Sequence, residues 1–182
     1  MKRGFTLIEM MVSVSIFLVI MTVSMGALLG VFSANNKFEA LKTVMDNLNL
    51  SVESMSREMR FGKNYHCEID RGTPPPYTTP QNCISSTGGE LVSFLAEDGT
   101  TQIVYKLNGT EIDKSTDGGT TYIPVTAPEI IVTSLAFYVI GATPSDNLQP
   151  KVLIKIQGHS GTSTAATNFT LQTLVSQRTL DH

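Results

Sequence analysis

Residues 1–20 read MKRGFTLIEMMVSVSIFLVI, and the stretch GFTLIEMMVS at 4–13 decides how this chain is built. From Phe5 to Phe32 the residues are mostly Val, Ile, Leu, Met, Phe, Ser and Thr, and Glu9 is the only charge before Lys37. As a helix, Phe5–Phe32 would be about 42 Å long at about 1.5 Å per residue. The hydrocarbon core of a bilayer is ~30 Å thick, so this segment can cross it with tilt and still protrude. Lys2 and Arg3 precede it. By the positive-inside rule they hold the N-terminus in the cytoplasm and send residues 33–182 beyond the inner face. A carboxylate in hydrocarbon costs about 2.5–3.5 kcal/mol on insertion scales. Glu9 therefore calls for a partner or a reason.

Three ordinary uses of such a segment fit less well. A secretory signal peptide has an apolar core of ~7–15 residues before its cleavage site, and Phe5–Phe32 is far longer. A plain membrane anchor accounts for the span and the flanking charges but gives no role to Glu9 or to the Gly4-Phe5 junction. A buried core helix of a soluble domain would be shorter.

Lys2-Arg3-Gly4-Phe5-Thr6-Leu7-Ile8-Glu9 resembles the signal of type IV prepilins and type II secretion pseudopilins. That family has a short basic leader ending in Gly, then Phe, a Glu four residues later and a long apolar helix. The resemblance covers residues 1–32. It implies cleavage between Gly4 and Phe5 by a prepilin peptidase and N-methylation of Phe5. It also implies that the carboxylate of Glu9 pairs with the terminal amine of a neighbouring subunit during assembly. Physical chemistry is consistent with these roles. Glycine lets an extended backbone enter a tight cleft. A new terminal amine titrates near 7.7–8.0, and a paired charge in low dielectric offsets part of its desolvation cost. Gly26 and Gly30 form a small-xxx-small pair that allows close helix approach in lipid. Many major pilins carry proline where Gly26 stands, so this chain departs from them there.

The helical pattern continues. Phe38, Leu41, Met45, Leu48, Val52, Met55 and Met59 recur at spacings of three and four, the stripe of an amphipathic helix. Glu53 and Arg57 form an i,i+4 pair, and Gly62 is a stop signal. One helix from about Phe5 to Phe61 is expected, with a possible break near Ser33–Asn36. Its second half would lie on a sheet, with a coiled coil as the other use of the stripe. Residues 62–90, rich in Pro and Gly, read as a loop. Apolar or alternating runs at Leu91–Ala96, Ile103–Leu107, Ile130–Ile140, Val152–Ile156 and Phe169–Val175 read as strands, and Tyr122–Thr126 as an edge strand limited by Pro124. Asp98-Gly99 and Asn108-Gly109 are hairpin signals. The expected fold class is α+β, a long N-terminal helix packed on an antiparallel meander, and the pilin resemblance implies the same architecture. The expected organisation is a cleaved leader (1–4), a transmembrane and filament-core helix (5–32), an amphipathic helix (33–61) and a β-rich head (62–182).

Cys67 and Cys83 lie in the part expected outside the cytoplasm, where two cysteines most simply form a disulfide. Closing a loop of about 15 residues is worth roughly 3 kcal/mol in the chain-entropy model. His66, His159 and His182 are far apart in sequence, and no nucleophile–base–acid constellation stands out. The resemblance also makes Asp113 and Asp117 in DKSTDGGTTY candidate calcium ligands, since some pseudopilins bind calcium in a loop, set against the ordinary reading of a polar hairpin turn. Asp146 is a loop acid of the same kind. Thr162–Thr167 reads as a flexible loop.

Formal net charge is −3 and charged residues make up 16%, below the ~25% of ordinary soluble domains. The head's cations, from Lys63 through Arg71 to Arg178, are scattered, so nucleic acid is disfavoured as a partner. The expected function is structural: a pilus or pseudopilus subunit, similar to the J- or W-type minor pseudopilins, and not an enzyme. Glu9 sets it apart from the tip pseudopilin type that lacks this acid. The implied partners are the prepilin peptidase, sibling subunits, the inner membrane and, indirectly, the assembly platform and its ATPase. The rival readings are a minor pilin whose head is an adhesin or a DNA-uptake module, and a membrane-anchored enzyme.

Overall fold

A computed structural model describes residues 4–69, 74–144, 146, 148–160 and 167–178. Lys2, Arg3, Arg71, His182 and most of the Thr162–Thr167 stretch lie outside the described residues. Among the described residues one helix, α1 (Leu7–Phe61, 55 residues), is followed by eight strands. The chain divides into two compact units between Ala40 and Leu41.

In the first unit α1 starts on a capping box. The Thr6 backbone N–H donates to Glu9 Oε2 (2.9 Å), and the Glu9 N–H reaches back to Thr6 Oγ1 (3.4 Å). These two bonds satisfy donors that a helix N-terminus otherwise leaves open. The helix then runs unbroken through Ser33–Asn36, where a break was possible.

In the second unit the rest of α1 buries Val44, Leu48, Val52, Met55 and Met59. The expected stripe is correct from Leu48 onward. Upstream, Val44 takes the core position while Met45 and Phe38 are exposed. At 3.6 residues per turn Val44 lies about 40° from the line of Leu48 and Met45 about 60° from it on the other side.

The strands form two sheets rather than the single meander expected. β1 (Lys63–Glu68), β2 (Leu91–Leu95), β3 (Gln102–Asn108), β4 (Glu111–Ser115) and β5 (Ile123–Pro124) form one antiparallel sheet in chain order. β6 (Ile130–Ile140), β7 (Lys151–Ser160) and β8 (Thr167–Ser176) form the other. Two of these strands fall where loops and turns are expected. β1 occupies the start of the 62–90 loop, because the polar run KNYHCE still buries Tyr65, His66 and Cys67. Asp113 lies on β4 rather than in a turn, and its carboxylate is satisfied by Asn108 Nδ2 at 2.8 Å. One apolar core takes side chains from α1 and both sheets, including Tyr65, Phe94, Tyr105, Phe137, Ile154 and Ile156.

Polar bonds fix the helix on this core. Glu58 Oε2 accepts from the Tyr105 hydroxyl (2.6 Å), and Glu58 Oε1 pairs with Lys114 Nζ (2.5 Å). Burial, then the Glu58 carboxylate, push the Tyr105 hydroxyl far above its usual pKa. Helix α1 ends at Gly62, where a Cβ would come within 2.4 Å of the Phe94 ring. The C-terminal segment closes this end: the Arg178 N–H donates to the Arg60 carbonyl (2.8 Å) and Gln177 Nε2 to the Gly62 carbonyl (2.9 Å).

Candidate functional site: the exposed N-terminal segment and the disulfide loop

Every large apolar side chain described between Phe5 and Phe32 is exposed, from Val14 at 51% to Phe5 at 85%. This helix is long and apolar enough to cross a membrane by length and composition. Three of its hydroxyls bond back to carbonyls of the same helix. Ser13 Oγ donates to the Glu9 carbonyl (2.7 Å), Ser15 Oγ to the Met11 carbonyl (2.8 Å) and Thr22 Oγ1 to the Val19 carbonyl (2.9 Å). A segment surrounded by hydrocarbon needs such internal partners, since no water is there to supply them.

Glu9 sits on the first turn with Phe5, Ile8, Val12 and Ser13 around it on the helix surface. Its Oε2 takes both the N–H and the hydroxyl of Thr6, at 2.9 and 2.8 Å. No bond to its Oε1 is made by the described residues. Thr6 is the functional residue that reasoning from charge misses. Its signal is in the sequence, because Thr-x-x-Glu before an apolar run is a capping box. A methyl group added at Gly4, Gly26 or Gly30 would meet nothing within 4 Å. Packing within this chain therefore does not demand glycine at any of the three.

Residues 1–25 match the prokaryotic N-terminal methylation motif. The segment is thus a prepilin signal of the type IV pilin and pseudopilin kind, and the chain is a pilin-like substrate of a prepilin peptidase. The motif implies assembly with other pilin subunits, and its family is structural rather than enzymatic. The prepilin signal and the apolar helix together fit a membrane-anchored pilin. No curated protein and no solved structure matches the chain.

Beyond the prepilin signal, the head's sequence candidates sort into structural roles. Cys67 and Cys83 form a disulfide with Cα atoms 5.6 Å apart. Cys67 is on β1, while Cys83 exchanges backbone bonds with Val139 on β6 (3.0 and 3.2 Å). The bridge therefore sutures the two sheets. Gly89 covers it: a Cβ there would fall 2.3 Å from Cys67 Sγ. His66 lies beside the bridge, with Nδ1 2.6 Å from the Thr79 carbonyl and Nε2 3.2 Å from Glu68 Oε2. His159 is on β7, opposite Ile131 and Asn168. The Asp117 carboxylate accepts the hydroxyls of Ser115 and Thr121 and the N–H groups of Thr121 and Thr120, which hold its pKa well below the usual range. It organises the turn after β4. The Asp146 carboxylate likewise accepts the Leu148 N–H at 2.8 Å. Among the described residues no group of three or more His, Cys, Asp or Glu side chains is placed to hold a metal ion. Of the head's cations, Lys114 is paired with Glu58, Lys106 stands 3.6 Å over the Tyr122 ring and Arg178 faces Phe61.

Proposed function

We propose that this chain is a minor subunit of a type IV pilus or of a type II secretion pseudopilus. The prepilin peptidase cuts between Gly4 and Phe5, beside the basic Lys2 and Arg3, and Phe5 is then methylated. Residues 5–32 hold the subunit in the inner membrane with its N-terminus cytoplasmic and the head beyond the membrane. The same helix then enters the filament. The observation that carries this reading is the fully exposed apolar surface of Phe5–Phe32 behind a matched prepilin signal.

Glu9 has two jobs in this reading. Within its own chain, Oε2 caps the helix through Thr6. The remaining oxygen, Oε1, accepts the terminal amine of a neighbouring subunit. A misdocked neighbour leaves a charge unpaired, which costs about 3–5 kcal/mol in a desolvated setting. Register follows from that penalty.

Two substitutions separate the jobs. Glu9→Gln keeps a capping acceptor but removes the charge, whereas Glu9→Ala removes both. Both variants should be cleaved after Gly4 normally. Both should enter filaments more than about tenfold less than the parent, since about 1.4 kcal/mol already corresponds to tenfold. Normal incorporation of Glu9→Gln would reject the pairing role and leave only the cap.

A further inference from the structure

The hairpin between β3 and β4 carries a chemically labile pair of residues. Asn108 closes β3, and the two-residue loop Gly109-Thr110 returns the chain to Glu111, the register partner of Asn108. Of the two loop residues only Gly109 has a positive φ, at 61°. That is the pattern of a type II′ turn, which calls for glycine at its first central position. Asparagine followed by glycine can react with itself, because a residue without a Cβ lets its backbone nitrogen approach the preceding side chain. Asn108 and Gly109 are both exposed. The Gly109 N–H makes no hydrogen bond among the described residues, and a Cβ at Gly109 would meet nothing within 4 Å. Solvent therefore reaches the nucleophile.

The folded hairpin holds the other reactant. Asn108 Nδ2 donates to Asp113 Oδ2 at 2.8 Å, and Asp113 is only 5% exposed. Asp113 faces Lys106 in the register, two residues further from the turn than Asn108. The bond thus draws the carboxamide along the hairpin, away from Gly109. Releasing it would strip a buried carboxylate of a donor, which opposes the attack while the hairpin is closed.

We propose that Asn108 is a self-modification site that Asp113 holds inactive while the β3–β4 hairpin is closed. When the hairpin opens, the Gly109 nitrogen gives its proton to solvent and attacks Asn108 Cγ. A five-membered succinimide forms, and the side-chain nitrogen takes a proton from solvent and leaves as ammonia. One water then opens either C–N bond of the ring and leaves aspartate or isoaspartate at position 108. The product sets a carboxylate where the donor stood, facing that of Asp113, and like charges oppose reclosure. The change therefore runs one way and records that the hairpin has opened. It is independent of how the N-terminus is processed.

The test uses the full chain in mild detergent at mildly alkaline pH, sampled over days and digested in acid for peptide mass spectrometry. The readout is exchange of NH2 for OH at Asn108. Conversion in the folded parent should be slower than in the same chain in denaturant by about tenfold or more, the effect of a hydrogen bond to a charged group. Asp113→Leu removes the acceptor and should approach the denatured rate, whereas Asp113→Asn keeps an acceptor oxygen and should stay near the parent. Phe137→Ala, which weakens the head away from the hairpin, separates loss of this bond from loss of stability when the variants are compared at equal folded fraction. Asn108→Asp, which imitates one product, should speed exchange of the Ile112 N–H, now bonded to Thr126 Oγ1 at 3.0 Å, by about tenfold. Equal rates in the folded and denatured parent, Asp113→Leu no faster than Phe137→Ala, or no conversion in denaturant would overturn the site. Unchanged Ile112 exchange in Asn108→Asp would overturn its one-way character.

Discussion

Phe17 and Phe137 are the same side chain in opposite settings. Phe17 is 55% exposed on the N-terminal part of α1, and Phe137 has no exposed surface in the head. The serines of the two parts of α1 differ in the same way. Ser15 turns its hydroxyl back on its own helix, to the Met11 carbonyl, while Ser51 also reaches across to the Val125 carbonyl in the head (2.6 Å). A segment that satisfies its polar groups internally and presents apolar groups outward is built to be buried by something else. A segment that does the reverse is already complete. The chain therefore has one region with a finished core and one whose apolar side chains the chain itself leaves exposed.

The largest effect expected is on the finished core. Phe137→Ala should destabilise the head by about 3–5 kcal/mol. Phe17→Ala should leave head stability unchanged. Denaturant unfolding of the full chain in mild detergent, followed by near-UV circular dichroism of the buried tyrosines, compares the two. Equal effects would erase the distinction between the regions.

Next comes the suture between the sheets. Cys83→Ser should cost the head about 2–5 kcal/mol, with no effect on cleavage after Gly4. Unfolding with and without reductant measures it; unchanged stability on reduction would remove the disulfide from the account.

The smallest effect is a turn acid. The Asp98 carboxylate accepts the Thr101 hydroxyl and the N–H groups of Thr100 and Thr101, which bring its pKa from 3.8 down to about 2. A depressed folded pKa gives stability that is present above the unfolded value and lost as pH falls through the folded one. The midpoint gap between the parent and Asp98→Ala should therefore be full above about pH 4 and shrink toward pH 2. A gap that does not change with pH would mean that the carboxylate's charge plays no part.

The regions also differ in how openly the sequence displays them. The helix is legible because a 3.6 period and an unbroken apolar run survive in any context, and Gly62 marks its end. Strands β3 and β6 are legible by alternation or length. β1 is hidden because KNYHCE is polar and is irregular at Asn64, whose φ of 53° is left-handed, with a register shift between Lys63 and His66. β4 is hidden because its acid, Asp113, is buried only by virtue of Asn108 across the hairpin. The split into two sheets depends on long-range contacts such as Cys83 with Val139, which no local pattern encodes. At the N-terminus the pattern of Glu9 is visible in one line of sequence, but its bond to Thr6 becomes plain only once the helix start is fixed at Leu7.

We propose Phe5–Phe32 as the processed, partner-seeking part of a pilin-like subunit. Intact-mass and N-terminal peptide mass spectrometry of the chain from membranes with active prepilin peptidase tests it most directly. The expected species begins at N-methylated Phe5 and lacks residues 1–4. A chain that still begins at Met1 in those membranes would contradict it.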